Sequence, residues 1–143
     1  MDFNFEESFG RMLNLAHTAM FRHLSKLMKE VDLPITPDQF RVLAHLWITD
    51  GLVQTELAQS TNRNRANVTR ILDILEKKGL VERRDDPNDK RVFRIYLTDL
   101  GKSLKKETAK CAAQSNEDAL RGVSAEEREI AFGVLQKILK NLE

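Results

Sequence analysis

Residues 54–97 read QTELAQSTNRNRANVTRILDILEKKGLVERRDDPNDKRVFRIYL, and the fold is decided here. Leu57 and Ala58 mark a short helix from about Gln54 to Gln59, and the polar run Ser60-Thr61-Asn62-Arg63-Asn64 breaks it. Asn62 tolerates a left-handed backbone, and Asn64 suits the cap of a following helix. That helix is predicted from Arg65 to Lys78, with Val68, Ile71, Leu72 and Leu75 on one face and Gly79 as its stop. Leu80 to Arg84 and Val92 to Leu97 read as strands, the second alternating Phe93, Ile95 and Leu97 with Val92, Arg94 and Tyr96. Asp85-Asp86-Pro87-Asn88-Asp89-Lys90-Arg91 is the polar tip between them.

Working outward, Asp50-Gly51 is a turn, and Thr36-Pro37-Asp38-Gln39 is a capping box that opens a helix running to about Ile48. Upstream, Phe5, Phe9, Met12, Ala16, Met20, Leu24, Leu27 and Val31 recur at three- and four-residue steps, which predicts one long amphipathic helix from Phe5 to Val31. Leu33-Pro34 ends it. Downstream, one helix carrying Leu100, Leu104, Cys111 and Ala112 is expected after Thr98, ending near Gly122. Ser124-Ala125-Glu126-Glu127 opens a last helix with Ala131, Val134, Leu135, Ile138, Leu139 and Leu142 as its apolar positions. The expected fold is therefore mainly α with a small β-hairpin wing: a winged helix-turn-helix at residues 35–98, flanked by a helical dimerisation region at residues 1–34 and 99–143.

Composition sets the class. The chain has 143 residues, 41% hydrophobic and 31% charged, as ordinary globular proteins do. Its net charge of +1 hides an asymmetry: residues 60–94 hold ten basic and six acidic side chains, a local +4, which leaves about −3 for the rest. The single cysteine, Cys111, excludes an intramolecular disulfide and fits a reducing compartment. Met1 is followed by Asp2, Asn4, Glu6 and Glu7, so no secretory signal is expected; with no apolar run of spanning length, the expectation is a cytoplasmic protein without a membrane partner.

Small, amide and guanidinium side chains dominate the outer face of the helix from Arg65: Ala66, Arg70 and Asp73, flanked by Asn67 and Thr69. Such a mixture suits a major groove, where arginine forks onto guanine, asparagine onto adenine, and small residues permit close approach. Asn62, Arg63, Asn64 and Arg65 stand at the helix start, where unpaired N–H groups attract phosphate. At the tip, the Asp89 carboxylate is placed to orient Arg91 along one side of an extended strand, toward a minor groove. An ordinary solvated face and a charged turn are the competing accounts of the same residues.

The blocks Leu57-Ala58, Val68-Thr69-Arg70, Leu75-Glu76-Lys77-Lys78-Gly79-Leu80-Val81-Glu82-Arg83, Asp89-Lys90-Arg91 and Leu97-Thr98-Asp99-Leu100-Gly101 resemble the MarR family of transcriptional regulators, as does the helix entry Ile35-Thr36-Pro37-Asp38-Gln39-Phe40. The resemblance implies a homodimeric repressor on a palindromic double-stranded DNA operator, with Arg91 in the minor groove and Asp89 supporting the wing. It implies release by a small aromatic effector in a cleft, for which Phe9, Met12, His17, Phe21, His45 and Trp47 are the candidate lining. Two positions depart from the family pattern: Thr61-Asn62-Arg63-Asn64 replaces a common Leu-Gly-Val-Ser turn, and Val53 stands where a hydroxyl cap is usual.

No nucleophile triad, carboxylate pair or phosphate loop is recognisable, so no enzyme and no cofactor are expected. His17 and His23 are six residues apart, share no helix face, and with His45 have no cysteine cluster beside them, so no metal site is expected. Two alternatives stay open: a redox-responsive regulator acting through Cys111, and a winged-helix protein-interaction module that does not read DNA.

Overall fold

Caps set the element boundaries. The computed structural model describes residues 2–61 and 64–143. Helix α1 (Phe9–Glu30) begins after Ser8, whose hydroxyl accepts the Arg11 N–H. The helix expected from Phe5 starts four residues later because Asn4 Oδ1 accepts the N–H groups of Glu6 and Glu7, a local turn that competes with helix. Thr36 and Gln39 form the expected box at the start of α2 (Pro37–Ile48), each side chain accepting the other's backbone N–H at 3.3 and 3.2 Å.

The chain then turns at Gly51 into β1 (Leu52–Val53), α3 (Gln54–Ser60), α4 (Arg65–Lys77), β2 (Val81–Asp85) and β3 (Phe93–Leu97). β1 was not expected, since two residues are too short to show a period. It pairs Leu52 with Ile95 and Val53 with Arg94, giving an antiparallel sheet in the order β1-β3-β2. Gly51 has a φ of 74°, and a side chain there would lie 2.8 Å from the Tyr96 ring. α4 closes as expected at Gly79, whose N–H donates to Glu76 O while Leu80 N donates to Leu75 O. β2 and β3 each begin one residue later than expected, with Val81 opposite Leu97 and Asp85 opposite Phe93.

The single helix expected after Thr98 is two, α5 (Asp99–Ser103) and α6 (Lys105–Ala119), which meet at Leu104. They serve different neighbours. Thr98 caps α5 and donates to Gly79 O, Trp47 Nε1 donates to Gly101 O, and a Cβ on Gly101 would come within 2.1 Å of Leu80 O. α5 is thus held against the wing and α2. α6 instead runs along α1, where His23 Nε2 lies 2.8 Å from Asp118 Oδ2. That contact, with Gln114, holds the Asp118 carboxyl below its ordinary range. α7 (Ala125–Leu142) opens on the Ser124–Glu127 box and buries none of its residues within the chain.

The core lies under the sheet. Val42, Leu43 and Leu46 of α2, Leu57 of α3, Val68, Leu72 and Leu75 of α4, and Leu80 and Ile95 of the wing are buried together, joined by Met28 from α1 and Cys111 from α6. α4 therefore presents its inner face to this core, and its other face is left outward.

Candidate nucleic-acid interface

Asn64 Oδ1 accepts the Asn67 N–H at 2.9 Å and starts α4. Arg65, Ala66, Thr69 and Arg70 are exposed on the outer face, Asn64 is exposed at its head, and Asn67 is half-buried beside it. Asn62 and Arg63, also expected at the interface, lie outside the described residues. Asp73, grouped with Arg70 from the sequence, accepts a 2.8 Å contact from Arg83 of β2, and the same guanidinium reaches Glu76 and the Thr69 carbonyl. Thr69 is engaged twice more: its hydroxyl donates to Arg65 O at 2.8 Å and accepts from Gln54 Nε2 at 2.7 Å. α3 and β2 thus both hold α4, through Gln54 and Arg83.

The wing is built on a carboxylate the sequence did not single out. Asp86 is nearly buried; its Oδ1 accepts the N–H groups of Asn88 and Asp89, and its Oδ2 accepts Arg94 Nε at 2.7 Å. Arg94 continues to Gly51 O at 2.9 Å, and Asp50 Oδ1 accepts the N–H of Leu97, so wing and Asp50-Gly51 turn form one hydrogen-bonded unit. The Asn88 N–H and then Arg94 pull the Asp86 carboxyl below its ordinary value, while Asp86 raises Arg94. Asp-Pro-Asn-Asp announces a side-chain-capped turn, but the partner eight residues on is visible only once the hairpin is formed.

At the tip, Asp89 and Arg91 are paired, although the geometry differs from the expected extended strand. They sit in the turn ahead of β3. Asp89 Oδ1 accepts both the backbone N–H of Arg91 at 3.0 Å and its Nε at 3.1 Å. The Arg91 side chain, followed by its backbone N–H, lowers the Asp89 carboxyl. The Arg91 side chain is 91% exposed, and Lys90 beside it is exposed too. An anchored base, a paired guanidinium and an open tip make a projecting cation whose root is rigid.

A separate cleft of about 300 Å³ lies between α1, α2 and α6, lined among others by His17, Met20, Phe21, Phe40, Arg41 and Asn116. Of the residues expected to line an effector site, it brings together His17 and Phe21, whose rings are 6.3 Å apart. Trp47 stands instead between Phe40 and Gly101, His45 is half-buried in the last turn of α2, and Phe9 and Met12 are exposed on α1 ahead of the cleft. Phe40 and Arg41 were missed because their approach to α1 depends on how α2 crosses it. Cys111 is buried, and burial followed by Glu107 pushes its thiol up, the opposite of what a reactive thiolate needs. Among the described residues, no group of three His, Cys, Asp or Glu could hold a metal ion, and no helix is long and apolar enough to cross a membrane.

A family model described as MarR family matches residues 35–93. The chain is 34% identical over 108 residues to YdgJ, an uncharacterized HTH-type transcriptional regulator of Bacillus subtilis, covering 76% of this chain and 66% of that protein's length. Among solved structures, it is similar to a mutant MarR of Escherichia coli complexed with operator DNA, with a TM-score of 0.84, 28% identity, and 91% and 92% of the two chains covered. It is likewise similar to the MepR–DNA complex of S. aureus, with a TM-score of 0.85, 26% identity, and 94% and 98% covered.

Proposed function

Since this chain belongs to the MarR family of winged helix-turn-helix transcriptional regulators, we propose that it is a homodimeric, sequence-specific DNA-binding repressor. Each protomer sets α4 into a major groove and Arg91 into the neighbouring minor groove. The observation that carries the reading is the exposed set of Arg65, Arg70 and Arg91 on α4 and the wing, which Arg83 ties together, with the wing tip anchored on Asp86. Arg70 and Asn67 read base edges; Arg65, Asn64 and Lys90 hold phosphate; Ala66 lets the backbone come close.

Residues 35–98 act as the DNA-reading lobe and residues 1–34 with 99–143 as the dimerisation region. Support comes from α7, which the chain itself leaves uncovered, and from exposed Phe9, Met12, Phe132 and Leu139 on α1 and α7. Apolar area of this kind is normally covered by a partner, and a two-fold dimer asks for a palindromic operator. The protein works in the cytoplasm and catalyses no reaction. A small aromatic effector enters the cleft at His17 and Phe21 and releases the operator; Arg41 there offers a cationic partner beside the Phe21 and Phe40 rings.

Mobility shift with genomic fragments at two salt concentrations tests the reading. Binding to a few fragments should be tight and should weaken steeply with salt, because displaced counterions drive it. Equal weak binding to every fragment, or none, would reject it.

A further inference from the structure

We infer that Thr69 reads the methyl group of a thymine in the major groove, and that Gln54 is the positioning residue that makes it do so; the inference rests on the DNA-binding reading above. Thr69 lies on the outer face of α4, one residue before Arg70, and is exposed. A threonine there has two things to offer a base: a hydroxyl that can donate or accept, and a methyl group. The hydroxyl is already engaged on the protein side. Its hydrogen goes to Arg65 O at 2.8 Å, and its oxygen accepts Gln54 Nε2 at 2.7 Å. Both contacts have good hydrogen-bonding distances.

Either bond alone would leave a choice of rotamers, because back-bonding to the preceding turn is open to any helical threonine. The amide of Gln54 reaches over from the first residue of α3 and selects one. The Thr69 carbonyl is held as well, by Arg83 Nη2 at 3.4 Å, so the residue is fixed at side chain and backbone. With the oxygen turned inward, the γ-methyl is what remains for the groove. Thymine alone among the four bases shows a methyl there, and a threonine methyl is a good apolar contact for it. The hydrogen bonds make the contact at this position an apolar one.

The test removes the methyl from the DNA and from the protein in turn. Selection from a randomised duplex pool with the purified protein supplies a bound site, in which each thymine of one half-site is replaced by uracil, a change of one methyl group. For the wild-type chain, one replacement should weaken binding about fourfold, the worth of one buried methyl-sized group. In Thr69→Ser, which keeps the hydroxyl, the ratio of affinities for the two duplexes at that position should fall to about one. In Thr69→Val, which keeps a methyl, it should persist. In Gln54→Met the ratio should fall below the wild-type value, a change that a purely structural role for Gln54 would not produce. If no replacement matters, the inference is overturned. If the ratio survives in Thr69→Ser, the contact belongs to another residue such as Ala66, and the assignment to Thr69 is wrong. An unchanged ratio in Gln54→Met removes Gln54 from the account. A chain that selects no duplex at all overturns the DNA-binding reading and this inference with it.

Discussion

At Asp89 a negative charge stands on the part of the molecule that is proposed to meet DNA, where simple electrostatics would prefer none. Its three bonds from Arg91, one from the backbone N–H and two from the guanidinium, give it a use. A narrow minor groove concentrates negative potential, and an arginine held ready for it loses less freedom on entry. Arg91→Ala should therefore weaken operator binding by about tenfold, most on sites with A·T-rich flanks, as read by fluorescence anisotropy. Asp89→Ala should also weaken it, despite removing a repulsive charge. The two losses should overlap in a double-mutant cycle, because one residue acts through the other. Tighter binding by Asp89→Ala, or simple additivity, would reduce the tip to a solvated turn. Arg70 and Arg65 differ in kind. Arg70→Ala should cost about 1–3 kcal/mol on the selected operator and little on random DNA, whereas Arg65→Ala should weaken both alike and lower the salt slope by about one. Equal losses on both duplexes would move Arg70 to the phosphate backbone.

Among elements, what could be read from the sequence followed what each element carries within itself. α2, α4 and α7 announce themselves through Thr36, Asn64 and Ser124 and through their apolar periods, and the hairpin through its alternation. The Asp89–Arg91 pair was legible too, since its partners are two residues apart. What was not legible depends on distant chain: the β1 strand, which exists only against β3; the break at Leu104, imposed by two different neighbours; and the Arg94–Asp86 and Gln54–Thr69 contacts. These long-range ties give two tests. Gly101→Ala should destabilise the chain by about 1–3 kcal/mol, since its new methyl meets Leu80 backbone rather than a movable side chain. An unchanged thermal midpoint would mean α5 can shift without cost. Asp86 adds a pH dependence. Its carboxyl titrates below the usual value when folded, so its contribution is complete above the ordinary carboxylate pKa and is lost as pH falls through the lowered one. Asp86→Asn should accordingly melt below the wild type at about pH 7, with the gap narrowing as the solution is acidified below the ordinary carboxylate range; a gap that stays constant would exclude the charge as its source.

For the whole molecule, the exposed apolar stripes of α1 and α7 set the scale. Phe132 is 68% exposed and Leu142 81%, more than a solitary chain of this size comfortably shows to water. Sedimentation at micromolar concentration should give a dimer, and a folded monomer there would remove the palindrome along with it. In such a dimer the joint at Leu104 acquires a mechanical meaning. On one side α5 is held against the wing and α2; on the other α6 runs along α1, with Cys111 set into the core, and its 15 residues make an arm of roughly 22 Å. Ten degrees of bend at the joint swings the end of that arm by about 4 Å, close to the 3.4 Å step between stacked base pairs. If the proposed dimer forms, such a joint would work as the setting screw of a pair of callipers: a bend at Leu104 would change the gap between the two copies of α4, and with it the operator spacing.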